Sequence, residues 1–196
     1  MTEKQTTWIQ RIQNRFGSFQ PEERPPPKRI STYQPHGEHR LILVTGASGS
    51  GRTRALVKWL AQAQAAGQTV AFLDCDHSYF VGLGCNPEEQ LQLVIRPQTR
   101  ENAMDIALEL VTSNVVDVLG IDSLQRLPSE QEAAQPMNAS ARPGETASID
   151  AFWGQIGREL QGRSCCVLVI PGRSSPVLEH LCDGKLRPKR LAGPGW

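Results

Sequence analysis

An α/β fold, with a mostly parallel twisted sheet flanked by helices, is what the sequence predicts, and three observations predict it. From residue 41 onward, short apolar runs alternate with segments of helical period. Several of those runs, at 41–44, 118–121 and 165–170, are apolar throughout rather than at every second position. That is the pattern of strands covered on both faces, as in a parallel sheet. The first run leads directly into Gly46-Ala47-Ser48-Gly49-Ser50-Gly51-Arg52-Thr53. This has the G-x-x-x-x-G-K-[ST] spacing of a phosphate-binding P-loop, with arginine where lysine usually stands.

Each element can be justified in turn. Trp8, Ile9, Ile12 and Phe16 recur at helical spacing, with Arg and Gln opposite and Gly17 as a stop. An amphipathic helix is therefore expected over 1–17. The stretch 18–36 contains Pro25-Pro26-Pro27 and cannot hold a regular ladder, so it reads as a linker to a core spanning 37–192. In that core a strand at 41–44 precedes the glycine loop and a helix at 53–66, which Gly67 ends. A strand at 69–73 follows, then a helix-like stretch at 87–91 and a small strand at 93–95. Ala103, Ile106, Ala107, Leu110 and Val111 define one face of a helix at 101–113. A strand at 116–121 follows it. The segment 129–148 is rich in Ser, Ala, Pro, Glu and Gln and is expected to be a flexible loop. Phe152, Trp153, Ile156 and Leu160 mark a helix at 149–162, and 165–170 is the next strand.

The chemistry gathers where strands end. A glycine-rich turn between strand and helix lets backbone N–H groups face a phosphate, and the helix N-terminus adds partial positive charge. Gly46, Ser48, Gly49, Ser50, Gly51, Arg52 and Thr53 are thus the nucleotide-binding candidates, with the Thr53 hydroxyl placed to hold magnesium. Arginine keeps the charge of lysine but is a planar fork rather than a compact ammonium. The loop is therefore read as binding nucleotide without efficient hydrolysis, the other reading being a relic that only turns the chain. The run at 118–121 ends in Asp122, a carboxylate able to hold the metal's water shell or to cap the following turn. The strand at 69–73 ends in Asp74 and Asp76, with His77 next. An acid there could position an attacking water or simply solvate a turn.

Composition narrows the class. The 196 residues suffice for one domain with a sizeable core, and the net charge of +1 supplies no global basic field. Basic residues do gather early, at Arg11, Arg15, Arg24, Lys28 and Arg29, and late, at Lys185, Arg187, Lys189 and Arg190. The five cysteines are odd in number and lack C-x-x-C spacing, which argues against a disulfide framework or a zinc site. The polar N-terminus and the absence of any long apolar run give a cytoplasmic protein, with no membrane partner, as the expectation.

Over most of its length the chain resembles the ATP-binding core of RecA-type recombinases. Val70-Ala71-Phe72-Leu73-Asp74-Cys75-Asp76-His77 is similar to the family's strand ending in Asp-Ala-Glu-His. Gly82-Leu83-Gly84 and Leu93 to Pro97 are similar to its Leu-Gly segment and the strand ending near Gln-Pro. Ala107 to Ser123 is similar to the helix and Walker B strand that end in an Asp-Ser pair. Cys165 to Ile170 is similar to the strand before the second DNA-binding loop, and 178–190 to a strand pair after it. Ile12 to Gly17 is similar to the end of an N-terminal helix that docks on a neighbouring protomer. The resemblance implies a single RecA-like P-loop NTPase domain that takes ATP and Mg2+. It implies magnesium ligation by Thr53 and Asp122, a catalytic acid at Asp76 and an adenine-covering ring at Tyr79. Docking on a RecA-like subunit, its own kind or a true recombinase, would use Trp8, Ile12 and Phe16. Contacts to single-stranded DNA would fall to Arg142, Arg173, Lys185, Arg187, Lys189 and Arg190.

The departures from the family are as informative. Arg52 replaces the P-loop lysine. Asp76 stands where the family has glutamate, one methylene shorter. Pro171 or Gly172 stands where the family has a nucleotide-sensing glutamine. The second DNA-binding loop shrinks to Arg173-Ser174-Ser175-Pro176. The first keeps Arg142 among Glu130, Glu132 and Glu145. These losses fall on hydrolysis, sensing and DNA gripping. The expected function is an accessory protein of recombination or repair, at most a weak ATPase, that acts by docking on a partner. An ImuA-like translesion-synthesis accessory protein is the alternative, and a slow DNA-dependent ATPase polymerising on single-stranded DNA the second alternative.

Overall fold

The computed structural model describes residues 40–79, 91–135, 145–172 and 175–186. Strand β1 (Leu41–Val44) leads through the glycine loop into helix α1 (Arg52–Ala65), followed by β2 (Val70–Asp74) and β3 (Val94–Ile95). Helix α2 (Arg100–Thr112) precedes β4 (Val118–Asp122), a short 3-10 turn (Leu124–Arg126) and helix α3 (Glu130–Ala133). Helix α4 (Glu145–Leu160), β5 (Cys166–Ile170), α5 (Pro176–Leu181) and β6 (Gly184–Leu186) complete the described chain. The helix expected over 1–17, the linker 18–36 and all but Leu91 of the stretch 87–91 lie outside the described residues.

All strands join one six-stranded sheet in the order β3-β2-β4-β5-β1-β6, and every pairing is parallel. The carboxyl ends of the strands therefore meet along one edge. Asp74 of β2 lies beside Asp122 of β4, which lies beside Ile170 of β5.

The continuous apolar runs are explained by burial on both faces. Ile42, Val44, Phe72, Val118, Leu168 and Ile170 pack with Leu56, Val57 and Leu60 of α1. The alternate positions Leu41, Leu43, Leu73, Leu119, Ile121, Val167 and Val169 pack with Ile106 and Leu110 of α2 and Trp153 and Ile156 of α4. Gly120 is a close-approach position. A Cβ there would lie 2.6 Å from Leu60 Cδ1 and 3.2 Å from Phe72 Cδ2, so its absence lets α1 settle against β4.

Two segments differ from expectation. The flexible loop expected at 129–148 holds helix α3 and the first turn of α4 within its described part. A reciprocal cap nucleates α3: the Ser129 hydroxyl accepts from Glu132 N–H, and the Glu132 carboxylate accepts from Ser129 N–H. The stretch 178–190, expected as a strand pair, begins inside helix α5 and contributes one described strand, β6. The Ser175 hydroxyl accepts from Leu178 N–H, and Pro176 occupies the first helical turn, where its missing donor costs nothing.

Candidate functional site

The site is assembled at the carboxyl edge of the sheet, where β1, β2, β4 and β5 end side by side. Two glycines shape the loop after β1. Gly51 begins α1 in the left-handed conformation, φ +84°, and no side chain caps the helix. The first N–H groups of α1 are thereby left for an outside acceptor. Gly46 lets the loop fold on itself, since a Cβ there would lie 2.5 Å from Ser50 Oγ. Ser48 and Gly49 form the exposed crown. A Cβ built on Gly49 or Gly51 would meet nothing within 4 Å, so the outward side of the loop is open.

The glycine loop and the end of β4 touch through side chains. Thr53 Oγ1 donates to Asp122 Oδ2 at 2.6 Å, although 69 residues separate them in the chain. Asp122 is buried, 3 % exposed. Burial pushes its carboxyl above the usual aspartate range, and the neighbouring carboxylates of Asp76 and Asp74 push the same way. The Thr53 hydroxyl and Arg52 pull it back. Two hard oxygen donors beside an open loop fit a magnesium ion that keeps most of its waters. Bound there with a nucleotide, the ion would neutralise phosphate charge. Arg52 Nη1 donates to the Pro171 carbonyl at the end of β5, 3.3 Å away.

The end of β2 is held tightly. The Asp122 carbonyl accepts from Cys75 N–H and Asp76 N–H, at 2.7 and 3.0 Å. Asp74 is fully buried. Its carboxylate accepts from Ser78 N–H and Tyr79 N–H and pairs with Arg96 Nε at 3.1 Å. Asp74 thus closes the turn that carries Asp76 and His77. Asp76 stands at the rim, ion-paired with Arg126 Nε at 3.4 Å. Tyr79 is 7 % exposed, sits edge-on to Phe72, and its hydroxyl accepts from Leu91 N–H. That is a packed position within the layer beneath α1.

The other predicted residues separate into two groups. Lys185 is exposed on β6. Arg142, Arg173, Arg187, Lys189 and Arg190, and with them Trp8, Ile12 and Phe16, lie outside the described residues. Sequence reasoning missed Arg96 and Gln125. Arg96 follows directly on β3, the parallel neighbour of β2, which is a place where a cation can reach an acid closing the adjacent strand. Gln125 Oε1 accepts from Gly172 N–H at 2.8 Å, a contact that only the registration of β4 against β5 reveals. No helix among the described residues is long and apolar enough to cross a membrane.

Comparison with known proteins bears on this geometry. A family model described as the RecA N-terminal domain matches residues 32–165. The protein RecA of Pseudomonas fluorescens is 39% identical over 135 residues, 67% of this chain and 38% of that protein. The protein RecA of Marinobacter nauticus is 38% identical over 110 residues, 54% of this chain and 30% of the relative. The protein RecA of Geobacter sulfurreducens is 32% identical over 135 residues, 67% of this chain and 39% of the relative. The matched region thus spans well under half the length of these relatives.

Proposed function

Because the chain belongs to the RecA family, its residues 32–165 matching the N-terminal domain of that family, we propose that it serves recombination or DNA repair as an accessory protein. It binds ATP with Mg2+ in the loop 46–53, hydrolyses it slowly or not at all, and acts by docking on a RecA-like subunit. The observation that carries the nucleotide reading is the contact between Thr53 and Asp122, which joins the two halves of a magnesium–phosphate site. Slow turnover is supported by the partners of the remaining groups. Asp76 is short and ion-paired with Arg126, so its carboxylate is drawn to a cation rather than free to orient water. The end of β5 offers Pro171 and Gly172, neither of which has a polar side chain to meet a phosphate.

Calorimetry with ATP and ADP, with and without Mg2+, tests the binding. The expected result is magnesium-dependent heat with either nucleotide, and turnover far below the 1–10³ s⁻¹ typical of enzymes. Arg52→Lys should change affinity without restoring fast turnover, since Asp76 and Pro171 remain. No heat with either nucleotide removes the binding claim. DNA-stimulated turnover at ordinary enzyme rates removes the claim of slow hydrolysis. Any DNA contact rests on scattered basic side chains such as Lys185, Arg187, Lys189 and Arg190, and is therefore weak and salt-sensitive.

Docking is proposed to use the amphipathic segment of Trp8, Ile12 and Phe16, an aromatic and aliphatic face of the kind that anchors interfaces. Deleting residues 1–20 should leave the melting temperature of the core nearly unchanged while abolishing association with a RecA-like subunit, read by light scattering. A large fall in melting temperature with association intact would assign the segment to covering its own core.

A further inference from the structure

We propose that Arg52 does the work of two residues: one edge of its guanidinium takes the nucleotide phosphates while the other grips the end of β5, so that the peptide joining Pro171 to Gly172 reports nucleotide occupancy. This rests on the nucleotide reading above. The peptide is held from both sides. Its carbonyl, from Pro171, accepts from Arg52 Nη1 at 3.3 Å, and its N–H, from Gly172, donates to Gln125 Oε1 at 2.8 Å. Carbonyl and N–H belong to one rigid plane, so neither contact can shift without turning the other.

The geometry of both clamps is specific to these residues. The Arg52 stem runs back over the loop, its Cγ 3.5 Å from the place a Cβ on Gly46 would take. The guanidinium therefore lies between the loop and β5. It carries five N–H donors in a planar fork, enough for an anion on one edge and a carbonyl on another. A lysine ammonium is a point charge without a second edge. Gln125 occupies the space that a side chain at 172 would need: a Cβ on Gly172 would lie 2.6 Å from Gln125 Oε1 and 3.0 Å from Ser123 Oγ. The amide of Gln125, reaching over from the turn after β4, thus supplies the polar contact that position 172 itself lacks.

The Arg52–Pro171 contact is long for a hydrogen bond. A phosphate on the open donors makes stronger, charge-assisted bonds and fixes the plane of the fork, and with it the Pro171–Gly172 peptide. Gly172 N–H is the natural probe, since Pro171 has none. Residue-resolved amide exchange of the full chain, by NMR with a slowly hydrolysed ATP analogue and Mg2+, reads it directly, with calorimetry on the same samples. Exchange at Gly172 should slow roughly tenfold on nucleotide addition. Arg52→Lys should bind with altered affinity yet leave Gly172 exchange unmoved by nucleotide. Gln125→Ala should exchange fast in both states. Without nucleotide, Arg52→Ala should already exchange faster at Gly172 than the unchanged protein. Binding heat with no change at Gly172, slowing that survives Arg52→Lys, or equal nucleotide-free rates in Arg52→Ala would each overturn this proposal alone. Absence of binding heat in the unchanged protein would overturn it together with the nucleotide reading.

Discussion

Asp74→Ala is expected to cost about 2–4 kcal/mol of folding stability, since each buried backbone donor left unsatisfied costs roughly 1–3 kcal/mol. The carboxylate is fully buried and satisfies two backbone N–H groups, of Ser78 and Tyr79, as well as Arg96. Alanine would orphan both backbone donors and leave Arg96 Nε without its anion at the end of β3. For a chain of this size the melting temperature should fall by roughly 10 °C. Asp74→Asn, which keeps an acceptor but loses the charge, should fall between the two. Urea denaturation measures the effect, and a loss below about 1 kcal/mol would show that water replaces the carboxylate cheaply. Nucleotide affinity should drop as well, because the turn from Cys75 to Tyr79 hangs on this side chain and is stitched to the Asp122 carbonyl.

Asp122→Asn is expected to act in the opposite sense on stability while abolishing magnesium-dependent nucleotide binding. Burial raises the Asp122 carboxyl above its usual range, with Asp76 and Asp74 adding to the shift against the pull of Thr53 and Arg52. An acid whose folded pKa exceeds its unfolded value binds its proton more tightly when folded. Its stabilising contribution is complete below the unfolded pKa of about 3.9 and is lost as pH rises through the folded value. At neutral pH the ionised carboxylate therefore weighs against the nucleotide-free fold. Asparagine keeps an acceptor for Thr53 and carries no charge, so it should raise the melting temperature at pH 7 by roughly 2–4 °C, the equivalent of ~1 kcal/mol. The gain should shrink as pH falls toward 4. Equal melting temperatures of the two proteins across that range would show that the site carries no such cost.

The strands and the P-loop were legible because their signals are local and strong. A continuously apolar run as short as 166–170, rich in Val and Ile, fits a strand covered on both faces, and the glycine spacing at 46–51 fixes the turn. Asp122 followed from being the first polar residue after such a run. Two helices were legible too, and were passed over. Ser129 and Glu132 spell a capping box, and Ser175-Pro176 a helix start, but the surrounding composition and the family likeness weighed toward loop and strands. The partners of Arg52 and Gly172 were not readable in any local window, nor was Arg96, which meets Asp74 across 22 residues. Arg52 meets Pro171 across 119 residues and Gln125 meets Gly172 across 47. Only the sheet order, which sets β5 between β4 and β1, brings those groups together. Tyr79, by contrast, packs edge-on to Phe72 within its own stretch of chain.

That order also has a consequence for synthesis on the ribosome. Among the described residues β1 pairs with β5 and β6 and with no other strand. The strand that carries the glycine loop therefore emerges first and waits longest, both of its edges open until residues 166–186 have left the exit tunnel. Strands β2, β3 and β4 can zip together earlier, since they neighbour one another in the sheet. At an elongation rate of about 5–20 residues per second, the gap between residues 44 and 166 leaves β1 exposed for several seconds. The nascent chain thus passes through a stage in which half the sheet is formed and its most apolar unpaired strand is free to find a wrong edge.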